Sequence, residues 1–271
     1  MTGATMDNLL RARAPLADEV WSLIDEEARQ RLAPALAGRK LVDFSGPHGW
    51  HHSGTDLGRA TPIGAPTRSL VARRRAVLPL VELRAPFALS LEELRDAARG
   101  ARDVDFGALD EAARAIARAE NVAIFHGWPE AQIRGIADAS VHEPVTLGPD
   151  FGDYPARIAS GVAVLLSAGI GGPYALALGP EGYTGVVETT GRGGLVVLDH
   201  LREILGGPVV RAPGVEGGVV VSLRGGDFLF ESGEDLSIGY EHHDAERVHL
   251  YLEESFSFRV LSADAAVFLR S

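Results

Sequence analysis

Cysteine is absent from this chain, which removes disulfides, thiol nucleophiles and thiolate metal sites together. Long apolar runs are missing too. None approaches the roughly 18 residues a membrane span needs, and the richest, Gly161–Gly172, is broken by Ser167 and several glycines. The N-terminal stretch has no hydrophobic signal core and turns acidic early. Positive charge is in deficit: 26 Lys and Arg stand against 37 Asp and Glu, a formal net charge of −11. That balance argues against broad affinity for nucleic acid or an anionic membrane. These absences lead us to expect a soluble, cytoplasmic protein with neither nucleic acid nor membrane as partner.

Catalytic signatures are also lacking. There is no GxxxxGK[ST] phosphate loop and no GxSxG nucleophile elbow. Gly191, Gly193 and Gly194 give only a fragment of a dinucleotide fingerprint, in a loop. Glu253 and Glu254 are neighbours on a strand pattern, so they point apart and cannot act as paired carboxylates. His48, His51 and His52 invite a metal reading. Adjacent histidines on a strand face opposite ways, however, and no carboxylate lies at a usual motif offset. His242 and His243 fail for the same reason. The sequence therefore predicts no catalytic residues, no metal, no cofactor and no enzyme.

What is present is framework. At 271 residues, with 46% apolar and 23% charged residues, the composition is that of a globular protein with room for one large domain or two modest ones. Between Arg224 and Val260 three strands are legible, Asp227–Glu231, Asp235–Tyr240 and Val248–Val260. In the last of them Leu250, Leu252, Phe256, Phe258 and Val260 fall on period two. Gly225-Gly226 and Ser232-Gly233 supply the turns. Residues 16–37 read as a helix with Leu16, Val20, Ile24, Ala28, Leu32 and Leu36 in one stripe, Pro15 at its start, Gly38 at its end and Pro34 bending its last turn. Asp43–Leu78 is too rich in glycine and proline for a core element and too long for an ordinary loop, so we read it as an extended arm with short strands. A strand over 78–87 runs into a helix capped by Ser90 and Glu93 and ended by Gly100. Helices are expected over 108–121 and 153–168, and strands over 172–178 and 211–223. The mixture has no regular βαβ rhythm, so the class is α+β.

Eight blocks in order carry a family resemblance: APLADEVW (14–21), GRKLVDFSGPHGW (38–50), PLVELRAPF (79–87), AIFHG (123–127), GPYAL (172–176), RGGDF (224–228), DLSIGY (235–240) and ESFSF (254–258). With them the chain resembles encapsulins, self-assembling shells of nanocompartments whose fold is that of tailed-phage major capsid proteins, the Hong Kong 97 type. The resemblance implies an N-terminal helix and inner-wall segment over 1–45, which is part of the peripheral domain, and an extended arm over 46–78. The rest of the peripheral domain would come from 79–136 and 224–259, and an axial domain from 137–223 and 260–271. It implies an icosahedral homo-oligomer, a 60-mer in the smallest arrangement, enclosing a cargo enzyme that carries a C-terminal targeting peptide. A peroxidase or a ferritin-like protein is the expected cargo.

Carried over by position, the peptide would dock on Leu32, Leu36, Arg39 and Asp43, with Leu252 nearby; the competing reading makes these residues plain core. The turn Thr189, Thr190, Gly191, Arg192, Gly193, Gly194 would line a five-fold pore. Some members bind flavin through a tryptophan where this chain has Glu92, so flavin is not carried over. A viral capsid packaging DNA, and a bacteriocin or protease, are the alternatives.

Overall fold

The computed structural model describes residues 8–191 and 194–271. The chain enters through helix α1 (Asp18–Ala35) and strand β1 (Asp43–Ser45), leaves as the hairpin β2 (Gly54–Ile63) and β3 (Ala72–Pro79), and returns along β4 (Val81–Ser90) into α2 (Leu91–Ala98) and α3 (Gly107–Phe125). A small hairpin, β5 (Gly127–Trp128) and β6 (Ile133–Arg134), precedes α4 (Ile136–Ala139) and β7 (Val145–Thr146). Then come α5 (Tyr154–Ser167), β8 (Tyr174–Leu178), α6 (Pro180–Glu188), α7 (Val197–Leu205), β9 (Val209–Arg211) and β10 (Gly218–Ser222). Four strands close the chain: β11 (Phe228–Ser232), β12 (Ser237–His243), β13 (Arg247–Val260) and β14 (Ala266–Arg270).

β13 is the spine of the first sheet. Along one edge it pairs antiparallel with β4, from Arg247↔Ser90 to Phe256↔Val81. Along the other it pairs first with β12 and then with β11, because Leu250 meets both Phe87 and Tyr240 while Phe256 meets both Val81 and Ser232. β1 adds in parallel beyond β11. The alternation expected of β13 is present, with Leu250, Leu252, Phe256 and Phe258 buried, but Tyr251, Glu253 and Ser257 on its other face are buried as well. Both faces of this strand are covered.

The second sheet runs β7-β14-β10-β8-β9. Its central strands β8 and β10 are buried at every residue, which explains why they read as unbroken apolar runs rather than alternating ones. The hairpin β2–β3 forms a sheet of its own, with a register shift between Asp56 and Arg59. Its strands are 10 and 8 residues long, longer than the short strands expected of the arm.

Helix boundaries follow local chemistry. α1 begins after Pro15 and buries Val20, Ile24, Ala28 and Leu32, while Leu16 and Leu36 fall outside the helix and are half-buried. Asp18 and Glu19 in its first turn suit the positive end of the helix dipole. The Ser90 Oγ caps α2 by accepting from the Glu93 amide at 3.4 Å, and Gly100 follows at φ 106°. α3 runs four residues past its expected end, because Ala123, Ile124 and Phe125 continue its buried face. Its first half packs in the core under α1 and β4, and its last turn packs in the core of the second sheet.

Candidate functional site: a groove over the first helix

α1 ends against α3 in a contact that leaves no space. A Cβ on Gly38 would sit 2.3 Å from the Ile124 Cδ1, so any larger residue there must push that side chain aside. The buried side chain of Asn121 fixes that turn. Its Oδ1 accepts from the Ala37 and Gly38 amides, both at 3.0 Å, and its Nδ2 donates to the Ala35 and Pro213 carbonyls. All four hydrogen bonds an amide can make are satisfied.

This turn delivers Arg39 into a cluster of carboxylates. Its guanidinium donates to Glu120 at 2.6 Å, Asp235 at 2.5 Å and Glu254 at 2.8 Å, and its charge lies 5.0 Å from the Phe230 ring centroid. Glu120 and Glu254 are 0% and 1% exposed. Burial opposes the Arg39 charge, but Glu120, Glu254 and Asp235 outweigh it and raise its pKa. Burial, with Glu120 beside it, lifts Glu254 well above the ordinary carboxyl value; burial also lifts Glu120, against the pull of Arg39. Each of the two buried carboxyls keeps an Oε1 with no hydrogen-bond partner among the described residues. A proton shared between them would satisfy both oxygens and lower the charge that Arg39 must offset.

Beside this cluster lies a groove of about 430 Å³. Ala28 and Leu32 from α1, with Leu36 just past its end, form one side, Leu236 and Ile238 with Leu252 the other, and Arg11, Asp25, Arg29 and Asp235 complete the lining. The N-terminal segment closes one end. Leu9 O accepts from the Tyr240 amide at 2.8 Å, and Arg11 donates to Ile238 O, also at 2.8 Å, while its guanidinium pairs with Asp25 and stacks 4.4 Å over Trp21.

Of the five residues expected to dock a peptide, four line this groove: Leu32, Leu36, Arg39 and Leu252. Leu32 and Leu252, 6% and 1% exposed, are floor shared with the core, whereas Leu36 is half-buried and open to the groove. Arg39 is committed to its three carboxylates. Asp43 lies elsewhere. Its Oδ2 accepts from the Gly226 amide at 2.6 Å and so caps the Gly225-Gly226 turn. The wall from Leu9, Arg11, Leu236 and Ile238 was not foreseen, since nothing in the sequence brings residues 9–11 onto β12.

The turn between α6 and α7 is closed by a bridge between Thr190 and Val196 and by the Gly191 amide donating to Leu195 O at 2.8 Å. Gly194 takes φ 83° there. Arg192 and Gly193 lie outside the described residues.

Folds of this outline belong to capsid-forming proteins. The chain superposes on a virus-like particle from Pyrococcus furiosus with a TM-score of 0.60, at 14% identity, over 92% of this chain and 97% of that one. The capsid of the Myoviridae phage XM1 matches with a TM-score of 0.55, at 11% identity, over 86% and 90%. Those identities establish the fold alone, an α+β fold of the tailed-phage capsid type. Sequence goes further. Residues 6–257 match the Linocin M18 family, described as encapsulating protein for peroxidase. The type 1 encapsulin shell protein of Rhodospirillum rubrum is 46% identical over 98% of this chain and 97% of its own length. The chain belongs to this encapsulin shell family, a structural rather than a catalytic one.

Proposed function

We propose that this chain closes into an icosahedral shell of sixty copies and encloses an enzyme whose C-terminal peptide lies in the groove over α1. The groove itself carries the second half of that reading. An apolar floor open at Leu36, with charges in the lining, suits an extended apolar peptide whose register is set by ionic contacts. Assembly is supported by the arm. Ile63, Leu70, Val71 and Val77 are 48%, 58%, 92% and 58% exposed, and a lone two-stranded hairpin is at best marginally stable, so a neighbouring copy is its natural partner. The Thr189–Gly194 turn would stand at the five-fold axes, and a cysteine-free chain suits the cytoplasm. No helix among the described residues is long and apolar enough to cross a membrane.

The test is Leu36→Asp, coexpressed with a peroxidase or ferritin-like cargo bearing a targeting peptide. The variant should form normal megadalton particles by light scattering and negative stain. Cargo loading should fall, with affinity weakened by roughly 5- to 150-fold, because an apolar peptide segment would desolvate the new carboxylate at a cost of roughly 1–3 kcal/mol. Collapsed shells with undiminished loading would make Leu36 a core residue and remove the docking site. Nuclease-protected DNA in purified particles would instead favour a viral capsid.

A further inference from the structure

Among the described residues, one group of three metal-competent side chains comes together: His48, His52 and Glu231, with ligand atoms all within 4.8 Å of one another. The strand-alternation argument that set these histidines aside does not hold, because residues 46–53 form a loop and not a strand. In that loop positions 48 and 52 come round to the same side, with ring centroids 4.8 Å apart. His51, in contrast, packs edge-on against Trp50. The carboxylate comes from β11, 179 residues away, where no sequence motif would show it; the His52 Nε2 lies 2.8 Å from the Glu231 Oε1.

The loop is anchored rather than free. The His48 amide donates to Ser232 O at 3.0 Å, the Gly49 amide to Gly233 O at 2.8 Å, and the His52 amide back to Gly49 O at 3.0 Å. Gly46 is fitted so closely that a Cβ there would sit 2.4 Å from Ser232 O. On the strand side, β1 holds Ser45 in register with Glu231, and the Ser45 Oγ reaches the His48 Nε2 at 3.0 Å. Both histidines and the carboxylate therefore sit on tethered backbone, and only side-chain rotation separates them from a ligand set. A tetrahedral site with bonds of about 2.0–2.1 Å spaces its donors by roughly 3.4 Å, so the closure needed is on the order of 1 Å.

We propose that His48, His52 and Glu231 bind a divalent transition-metal ion of the zinc type, with water in the fourth position. Two imidazoles and one carboxylate suit zinc or cobalt(II) and do not suit calcium or magnesium, which take oxygen donors. The bound ion replaces the His52–Glu231 hydrogen bond and staples the loop to β11 at the root of the arm, next to Ser53, whose carbonyl accepts from the Leu80 amide where the two arm strands meet. This site is independent of cargo docking.

The experiment uses untagged full-length particles stripped with a chelator and titrated with zinc chloride or cobalt(II) chloride. The expected result is one ion per chain and a cobalt spectrum of tetrahedral type. Both should be lost in His52→Ala and Glu231→Gln, with affinity weakened at least about tenfold, and both kept in His51→Ala. Substoichiometric uptake, a spectrum that stays that of the hydrated ion, or uptake indifferent to His52→Ala would overturn the proposal. Should the variants fail to fold, the unaltered protein still decides it. Zinc should protect His48 and His52, but not His51, from diethyl pyrocarbonate in a peptide map, and equal modification with and without zinc would refute the site.

Discussion

Replacing Arg39 with methionine separates a structural role for this residue from a docking role. Methionine keeps most of the apolar stem and removes the charge that offsets Glu120 and Glu254, both essentially inaccessible to water. Breaking a buried ionic cluster from one side costs about 3–5 kcal/mol. The carboxyls have one escape, which is to take up protons. With the guanidinium gone, at least one carboxyl must take up a proton to avoid burial as an unpaired anion. Holding a carboxyl of ordinary pKa 4.5 protonated at pH 7.5 costs about 4 kcal/mol, at roughly 1.4 kcal/mol per pH unit. The same step at pH 5.5 costs only about 1.4 kcal/mol. At 2–4 °C per kcal/mol for a chain of this order of size, Arg39→Met should lower the thermal midpoint by roughly 8–16 °C at pH 7.5 and by about 3–6 °C at pH 5.5. Scanning calorimetry of both proteins at one concentration, in both buffers, reads this directly. A deficit equal at the two pH values would mean that lost packing against Phe44 and Phe230, not unpaired charge, dominates. An unchanged midpoint at pH 7.5 would refute the ionic cluster as a source of stability.

The same pair sets an alkaline limb of stability. The folded-state pKa of Glu254 is raised, so its contribution is complete below the ordinary carboxyl value and is lost as pH rises toward the folded one. Glu254→Gln, whose amide can donate to Glu120 as the protonated acid does, should flatten the fall in melting temperature between pH 5 and 9; an unchanged slope would place the titrating group elsewhere. Gly38→Ala should cost about 1–3 kcal/mol by overpacking, since its Cβ would meet the Ile124 Cδ1 at 2.3 Å. Adding Ile124→Val, which deletes that methyl group, should recover part of the loss in urea denaturation, and no recovery would mean the strain lies in the backbone.

Where sequence reading succeeded, one local rule governed each element. β11, β12 and β13 were legible because period-two burial and glycine turns both mark them, and Gly225 and Gly226 do take φ near 80°. Gly233 has a different reason for being glycine. Its φ is not in the left-handed region, and a Cβ there would meet the Ser255 Oγ at 2.6 Å and the Leu80 Cδ2 at 2.7 Å. That is a packing constraint which only the folded chain reveals. The stripe on α1 correctly gave the face turned inward, but apolar pattern cannot tell a side chain roofed by the protein, as Ile24 is, from one bordering a groove, as Leu36 does. The charges fared worst. Glu120, Asp235 and Glu254 lie 81 to 215 residues from Arg39, and nothing in the sequence brings them together.

The position of that cluster in the fold gives a reason for its existence. α3 passes through both apolar cores, with Leu109 to Ala117 in one and Ala123 to Phe125 in the other. Its two buried polar residues, Glu120 and Asn121, fall at the seam between them. Apolar contacts there would hold α1, α3 and β13 together at least as strongly, since a buried ionic cluster rarely exceeds a well-packed hydrophobic substitute in stability. Apolar contacts are non-directional, whereas Asn121 and Glu120 add directional bonds that fit one register: the amides of Ala37 and Gly38 on one side, the Arg39 guanidinium on the other. That register decides where α1 ends relative to β12 and β13, and therefore the width of the groove between Leu36 and Ile238. On this argument the polar seam gives up some stability to fix the dimensions of the groove.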